Sequence, residues 1–328
     1  MNTITNIQNP QIQIYPMPVA KQINFCGAAP VEKLGKDVFV GVRDKLIQET
    51  AFFREPEILE FVKDYVTTAL KHKSEINIID GACSKGYETY SLAMLLDKSG
   101  KKVNITGFDI GQEAIEDAKK GIFQIKHLTG NKDAISAYRM GYAAFNDDYL
   151  AFGTPTKKSE AEYKKMFEEF FTEIPNYKEK FNLHRWMMRK LFPKFTPEIK
   201  TKAFCIKPEK ADCCKFIQGD IQKLNEIVPE KSADVLLFQN ALYHLTTKEG
   251  PLSIKIPLPD EMIIPTVKNV VKQVDKAIAK DGLFVIGTHT NDHIGTTGQT
   301  LYKELEKHNF TPVFQCPDAS MTYIWKKN

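Results

Sequence analysis

The apolar residues of this chain fall into two alternating rhythms. "EILEFVKDYVTTALKH" (57–72) sets Ile58, Phe61, Val62, Tyr65, Val66, Ala69 and Leu70 at helical spacing, which predicts an amphipathic helix with one buried stripe. Short apolar runs then alternate with helical segments. "INIID" (76–80) predicts a buried strand and residues 87–97 a helix. "NITGFDI" (104–110) predicts a second strand, with a second helix over "EAIEDAKKGIF". "CCKFIQGDI" (213–221) and "ADVLLFQN" (233–240) predict a third and a fourth strand. "VKNVVKQVDKAIAKDG" (267–282) predicts a helix ending at Gly282, followed by the strand "LFVIGTH" (283–289). Helix "LYKELEKHNF" precedes two last strands, "TPVFQC" and "MTYIWKK", which can pair as a hairpin.

Strands that alternate with helices in this way imply an α/β fold with a mostly parallel sheet covered on both faces. Seven strands with a terminal hairpin fit a doubly wound, Rossmann-like seven-stranded sheet. Two stretches interrupt the pattern. Residues 125–212 are charged and aromatic, broken at "TPTKK", "EIPNY" and "FTPEIK", and are expected to form a largely helical insertion. Residues 246–266, "TTKEGPLSIKIPLPDEMIIPT", are Pro-rich and expected to be an irregular loop. Insertions of this length shape access to a site or meet a partner. Asn, Gln and Pro dominate the start of the chain, so residues 1–45 are expected to be a polar N-terminal tail and 46–328 one domain.

Composition narrows the function classes. Apolar residues make up 42% of the 328, enough for a sizeable core. A formal charge of +4 is too small to imply nucleic acid. Its distribution is uneven: residues 157–202 hold 12 Lys and Arg against 7 Glu, a run that ordinarily marks a solvated helical surface. The aromatics of "FEEFF" and "FNLHRWMMRKLF" are spaced for packing rather than base stacking. Six cysteines without a Cys-x-x-Cys pair suit neither a disulfide framework nor a zinc ribbon. No apolar run approaches the roughly 18 residues of a membrane span, and the N-terminus lacks the pattern of a signal peptide. A cytoplasmic protein without membrane insertion is expected.

The chemistry concentrates in "GACSKGYETYS" (81–91), between the first strand and the next helix. In doubly wound sheets ligands sit at the carboxyl ends of strands where the strand order reverses. A phosphate loop would need Gly-Lys-Ser/Thr, but Gly86 is followed by Tyr87 and Glu88, and a carboxylate there repels phosphate. A dinucleotide loop would need a third glycine beside Gly81 and Gly86. S-adenosylmethionine carries no phosphate. Its cationic end needs no basic loop, and Asp109 at the end of the second strand can accept both ribose hydrogen bonds. A plain tight turn is the alternative reading of the two glycines on their own.

"TAFFREPEILEFV" (50–62), "ACSKGYETYSLAMLL" (82–96), "ITGFDIGQEAIEDAKKGIF" (105–123), "DVLLFQNALYHL" (234–245) and "DGLFVIGTH" (281–289) resemble, in order, the blocks of CheR-type methyltransferases. That resemblance implies a Rossmann-like methyltransferase sheet, S-adenosylmethionine as cofactor, and methyl transfer to glutamate side chains of chemotaxis receptors. It places cofactor contacts on Thr50, Arg54, Glu88, Asp109, Asp220 with Ile221, and Gln239 with Asn240. Glu88 would pair with the methionine ammonium, Asp220 with the adenine amino group, and Asn240 would lie near the reacting methyl. Gln48 stands where the family has an asparagine two residues before the Thr. The chain departs elsewhere too: Gln239 replaces an arginine, Asp220 an asparagine, and His244, beside Tyr243, a tyrosine.

A glutamate carboxylate is ionised at neutral pH and attacks without a general base. An amine or hydroxyl acceptor would need one, and His244 or Tyr243 could serve. "THTNDH" brings His289 and His293 near Asp292, but a turn accounts for the motif as well as metal ligation does, and no metal is expected. The expected partner is a receptor-like protein carrying glutamate, with the basic insertion meeting an acidic helical surface. A small-molecule acceptor on the same fold, and a cofactor-binding regulator that transfers nothing, are the alternatives.

Overall fold

The computed structural model describes residues 52–129, 160–178, 183–192, 198–250, 255–315 and 321–328. Helix α1 (Pro56–Thr68) leads to β1 (Glu75–Gly81), α2 (Tyr87–Leu96), β2 (Lys102–Asp109) and α3 (Gln112–Lys120). Next come β3 (Ile122–Thr129), α4 (Glu160–Phe170), β4 (Phe171–Glu173), α5 (Leu183–Leu191), β5 (Glu198–Ile206) and α6 (Pro208–Ala211). The main pattern resumes with β6 (Cys214–Gln218), a 3-10 turn (Ile221–Glu226), β7 (Ala233–Leu237) and α7 (Leu242–Thr246). Strands β8 (Thr247–Glu249) and β9 (Lys255–Pro257) precede α8 (Asp260–Ala277) and β10 (Ile278–Val285). Last are α9 (Thr290–His293), α10 (Gly295–Lys307), β11 (Phe310–Gln315) and β12 (Thr322–Lys327).

An apolar run flanked by helices belongs in the middle of a parallel sheet, and β1 takes that place, buried from Ile78 onward. The seven-stranded sheet has the order β11-β12-β10-β7-β1-β2-β6. Strands β10, β7, β1, β2 and β6 are parallel, whereas β12 runs antiparallel to β10 and to β11. This is a doubly wound, Rossmann-like seven-stranded sheet with a terminal hairpin. Alternate strand residues feed two cores. Ile78, Val235 and Leu283 pack with α1 and α2, while Ile79, Leu236 and Phe284 pack with α8 and α10.

Three local readings change. The second helix does not run through "GIF": Gly121 takes a left-handed φ of 59° and closes α3 on the carbonyls of Asp117 and Ala118. A side chain at Gly121 would meet Ile206 Cγ2 at 2.3 Å. Ile122 onward is therefore strand. The insertion carries the expected helices α4, α5 and α6, and also a three-stranded antiparallel sheet, β3-β5-β4, which the sequence did not announce. The described part of residues 246–266 is not an irregular loop, since β8 pairs with β9 and α8 begins at Asp260. Asp260 and Glu261 favour that start electrostatically, and Pro265 removes only one hydrogen bond near the helix N-terminus. Residues 1–45 lie outside the described residues.

Aromatic rings fasten the insertion to α2. Phe52, fully buried, sits 4.8 Å from Phe123, 5.2 Å from Phe167 and 5.4 Å from Phe171, all edge-on. Phe52→Ala is expected to cost about 3–5 kcal/mol, lowering the urea midpoint with the slope unchanged. A loss below about 1 kcal/mol would show that these rings do not pack as a unit.

Candidate functional site

From β1 the chain steps outward through β2 to β6, then returns to β7 on the other side of β1. Loops leaving β1 and β7 therefore diverge and open a crevice at their carboxyl ends. Its walls are Arg54 from the segment before α1, Asp80 to Cys83 from the end of β1 and the loop after it, Glu88 from the first turn of α2, and Gln239 with Asn240 after β7.

The loop's shape depends on its glycines. Gly86 caps α2 with a φ of 83°, and a Cβ there would lie 2.9 Å from the Phe216 ring. A Cβ on Gly81 would meet Phe108 Cζ at 2.8 Å. Asp109 fixes the loop from the neighbouring strand. It accepts the Ser84 amide at 2.8 Å and the Gly111 amide at 2.8 Å, tying the loops after β1 and β2 together. Burial raises its pKa, and these amides oppose the shift.

The crevice floor is acidic. Asp80 accepts from Thr89 Oγ1 and shares a hydrogen bond with Glu88. Burial pushes Asp80 up to about 6, against the hydrogen bonds from Thr89 and Glu88. Glu88 is pushed well up by burial first and by the negative charges of Asp80 and Glu55 next, and Arg54 opposes. Two carboxyls in one dry site oppose each other's ionisation, and a cationic neighbour would favour the charged pair.

The other side is a polar tie. Asn240, at a left-handed φ of 54°, donates to Glu55 Oε1 at 2.6 Å and accepts the His289 amide at 2.7 Å. Thr288 Oγ1 donates to the same Glu55 oxygen at 2.7 Å. Tyr243 stacks on His289 with ring centroids 4.0 Å apart, and His244 lies 3.9 Å from Tyr243. Burial drives His244 down to about 3 and His289 down to about 4. Both amide atoms of Gln239, with Ser84 Oγ and Glu55 Oε2, are buried without a hydrogen-bond partner among the described residues. Buried polar atoms left so are costly, which marks a wall shaped for a ligand.

Sequence-derived candidates thus sort into groups. Arg54, Gly81, Glu88, Gln239 and Asn240 line the crevice; Gly86 and Asp109 shape it from behind; Tyr243 and His244 adjoin it on α7. Asp220 and Ile221 lie elsewhere than on these walls: Asp220 Oδ1 accepts the Gln222 amide at 2.9 Å to cap the 3-10 turn, and Ile221 is core. Gln48 and Thr50 fall outside the described residues. His293 is engaged by the Gly287 carbonyl at 2.7 Å and the Tyr302 hydroxyl at 2.8 Å, so it does not converge with His289. No group of three metal-ligating side chains occurs among the described residues. Asp80, Glu55, Thr288 and His289 join the site without having been assigned to it. Asp80 left a signal as an acid at the end of the buried run "INIID", and His289 one only within "THTNDH", where it pointed to a metal or a turn.

Residues 48–144 match the family model described as CheR methyltransferase, SAM binding domain. The chain is 39% identical over 83 residues to a chemotaxis protein methyltransferase of Campylobacter jejuni, covering 25% of this chain and 30% of that protein. A protein of the same description from Borreliella burgdorferi is 33% identical over 86 residues, 23% of this chain and 30% of its own length. The chain thus spans about 30% of the length of the curated relatives it matches. Among solved structures, the crystal structure of DszA carbon methyltransferase superposes with a TM-score of 0.38 at 9% identity, covering 83% of this chain and 54% of that one. Residues 48–144 are thus similar to a CheR-type domain, and that match indicates S-adenosylmethionine as the cofactor. The crevice fits that compound: Asp80 and Glu88 offer buried negative charge to its cations, and Gln239 offers an unmatched donor and acceptor.

Asp109→Ala is expected to weaken S-adenosylmethionine by about tenfold to a hundredfold in calorimetry; unchanged affinity would reject this placement. The raised Asp80 carboxyl adds stability to the free protein that is complete below the ordinary carboxylate range and is lost as pH rises through about 6. A cationic ligand favours the ionised pair. Affinity is therefore expected to climb from about pH 5 to 7 with proton release, which calorimetry in buffers of different ionisation enthalpy measures.

Proposed function

We propose that this chain, which carries a CheR-type SAM-binding domain over residues 48–144, is a methyltransferase that forms methyl esters on glutamate side chains of a receptor or signalling protein. S-adenosylmethionine supplies a methyl group already activated by its sulfonium. The chain's own residues hold and orient. In this reading Asp80 and Glu88 neutralise the cationic end, Gln239 with Asn240 flanks the methionine portion, and Asp109 takes the ribose hydroxyls with the acceptor capacity left beyond the Ser84 and Gly111 amides. Glu55 positions Asn240 through the contact at 2.6 Å. Arg54 is the cation that steers an incoming carboxylate, since its charge reaches Glu88, His244 and His289.

One observation carries the choice of acceptor. Burial holds both histidines beside the crevice well below neutrality, His244 pushed down to about 3 and His289 to about 4. An efficient general base needs a pKa near the working pH. Neither imidazole suits the deprotonation of an amine or hydroxyl, whereas a carboxylate arrives ionised and needs only alignment in a site with little water. This supports the ester over a small-molecule acceptor deprotonated by either imidazole, and leaves Tyr243 as the one base candidate for that alternative.

The test uses tritiated cofactor in a host-cell lysate. Base-labile label on protein is expected, with a transfer rate that is flat between about pH 7 and 9. Label confined to small molecules, or a rate climbing about tenfold per pH unit over that window, would overturn the ester assignment. Cofactor binding without any transfer would make the chain a regulator.

A further inference from the structure

Two of the six cysteines are neighbours in the chain, Cys213 and Cys214. Along a regular strand adjacent side chains point to opposite faces. Here β6 begins only at Cys214, and Cys213 belongs to the turn that follows α6. That turn brings the two sulfurs to 3.7 Å. Both thiols are free and half-buried on the outermost strand of this side of the sheet, within reach of small solutes. The hydrogen bond from Cys214 draws the Cys213 thiol below its ordinary value, against burial and the charges of Asp97 and Asp212. Cys214 is pushed well up, by that bond first and by burial next. One sulfur is thereby readied as a nucleophile while the other keeps its proton. Cys83, by contrast, sits in the crevice wall, and burial pushes its thiol well up, which leaves it inert.

A change at this pair reaches the glycine loop through β6. The Ile105 amide donates to the Cys213 carbonyl at 2.7 Å, and Cys214 pairs with Ile105 on β2. Two residues further, on the same face as Cys214, the Phe216 ring lies against backbone that has no side chain of its own. A Cβ on Gly86 or on Gly107 would stand 2.9 or 2.8 Å from that ring. Phe216 also packs on Tyr90 of α2, with ring centroids 5.4 Å apart. Consecutive Cα atoms are about 3.8 Å apart, whereas the Cα atoms of a disulfide are usually about 4.4–6.8 Å apart. A bond between neighbouring cysteines therefore twists the head of β6, and a bond under such strain is easily reduced.

We propose that Cys213 and Cys214 form a peroxide-reactive dithiol whose reversible disulfide loosens the S-adenosylmethionine crevice. The Cys213 thiolate attacks one peroxide oxygen, the O–O bond breaks, and the departing hydroxide takes up a proton as water. The Cys214 sulfur then attacks the sulfenic sulfur, and its proton leaves with the hydroxyl as a second water. The thiols are oxidised and the peroxide is reduced. The inference rests on the cofactor assignment and not on the acceptor. Intact reduced protein is treated with hydrogen peroxide, and its digest is read by mass with no cofactor present. The expected product is a peptide that contains both residues and has lost two hydrogens, restored by dithiothreitol. In Cys214→Ser the reaction is expected to stop at a sulfenic acid on Cys213, which dimedone traps. Calorimetry is expected to show S-adenosylmethionine bound at least about tenfold more weakly after oxidation, with recovery on reduction and no response to peroxide in Cys213→Ser. Both thiols unchanged under peroxide, or joined to other cysteines, overturn the dithiol. A disulfide that leaves affinity unchanged, or a loss of affinity that persists in Cys213→Ser, overturns the coupling. Reduced protein that binds no S-adenosylmethionine overturns the crevice assignment and the coupling together, while the mass still reports on the dithiol.

Discussion

Two carboxyl groups buried side by side at the end of the central strand set the terms for everything around them. Asp80 and Glu88 cannot both ionise cheaply in a dry crevice. The sheet's winding makes the crevice, the glycine loop lets the backbone pass over it, and burial by α1 and α2 keeps water away. A phosphate ligand would deepen the electrostatic conflict. A cationic one resolves it. The same pair, whose contribution to the free domain's stability is lost as pH rises through about 6, thus selects the sign of its ligand.

Around that floor the walls come from distant parts of the chain. Glu55 precedes α1, Asn240 follows β7, and Thr288 and His289 follow β10, yet one carboxylate oxygen and one amide join them. The left-handed backbone at Glu55 (φ 54°) and Asn240 (φ 54°) is what turns these side chains toward each other. Arg54 is carried into the crevice by the same segment. Substitution of Asn240 would therefore disturb the placement of three segments at once, and this differs from removing a ligand contact.

The legible parts of the fold were those with local causes. Parallel strands buried on both faces announce themselves as short apolar runs, and β1, β2, β7 and β12 lie within a few residues of where "INIID", "NITGFDI", "ADVLLFQN" and "MTYIWKK" put them. Strand β3 was hidden because Gly121 breaks the helix without any change in composition, and its partner β5 lies 69 residues on at Glu198–Ile206, counted from Thr129. The start of α8 was hidden by Pro265, a residue that ordinarily argues against a helix. In the site, Glu88, Asp109, Gln239 and Asn240 could be found because they sit at strand ends or in the loop itself. Glu55 and His289 could not, since only tertiary packing brings them together.

The terminal hairpin also has a bearing on how the molecule lives among its copies. β11 is the outermost strand on its side of the sheet, with Thr311, Pro312 and Val313 exposed. An open edge of free amides invites a foreign strand to add on and propagate fibres. Pro312 withholds one of those amides, and the pairing with β12 slips between Pro312 and Phe314, so the rim is uneven. One imino acid at the margin thereby discourages runaway polymerisation of an otherwise extendable lattice of strands.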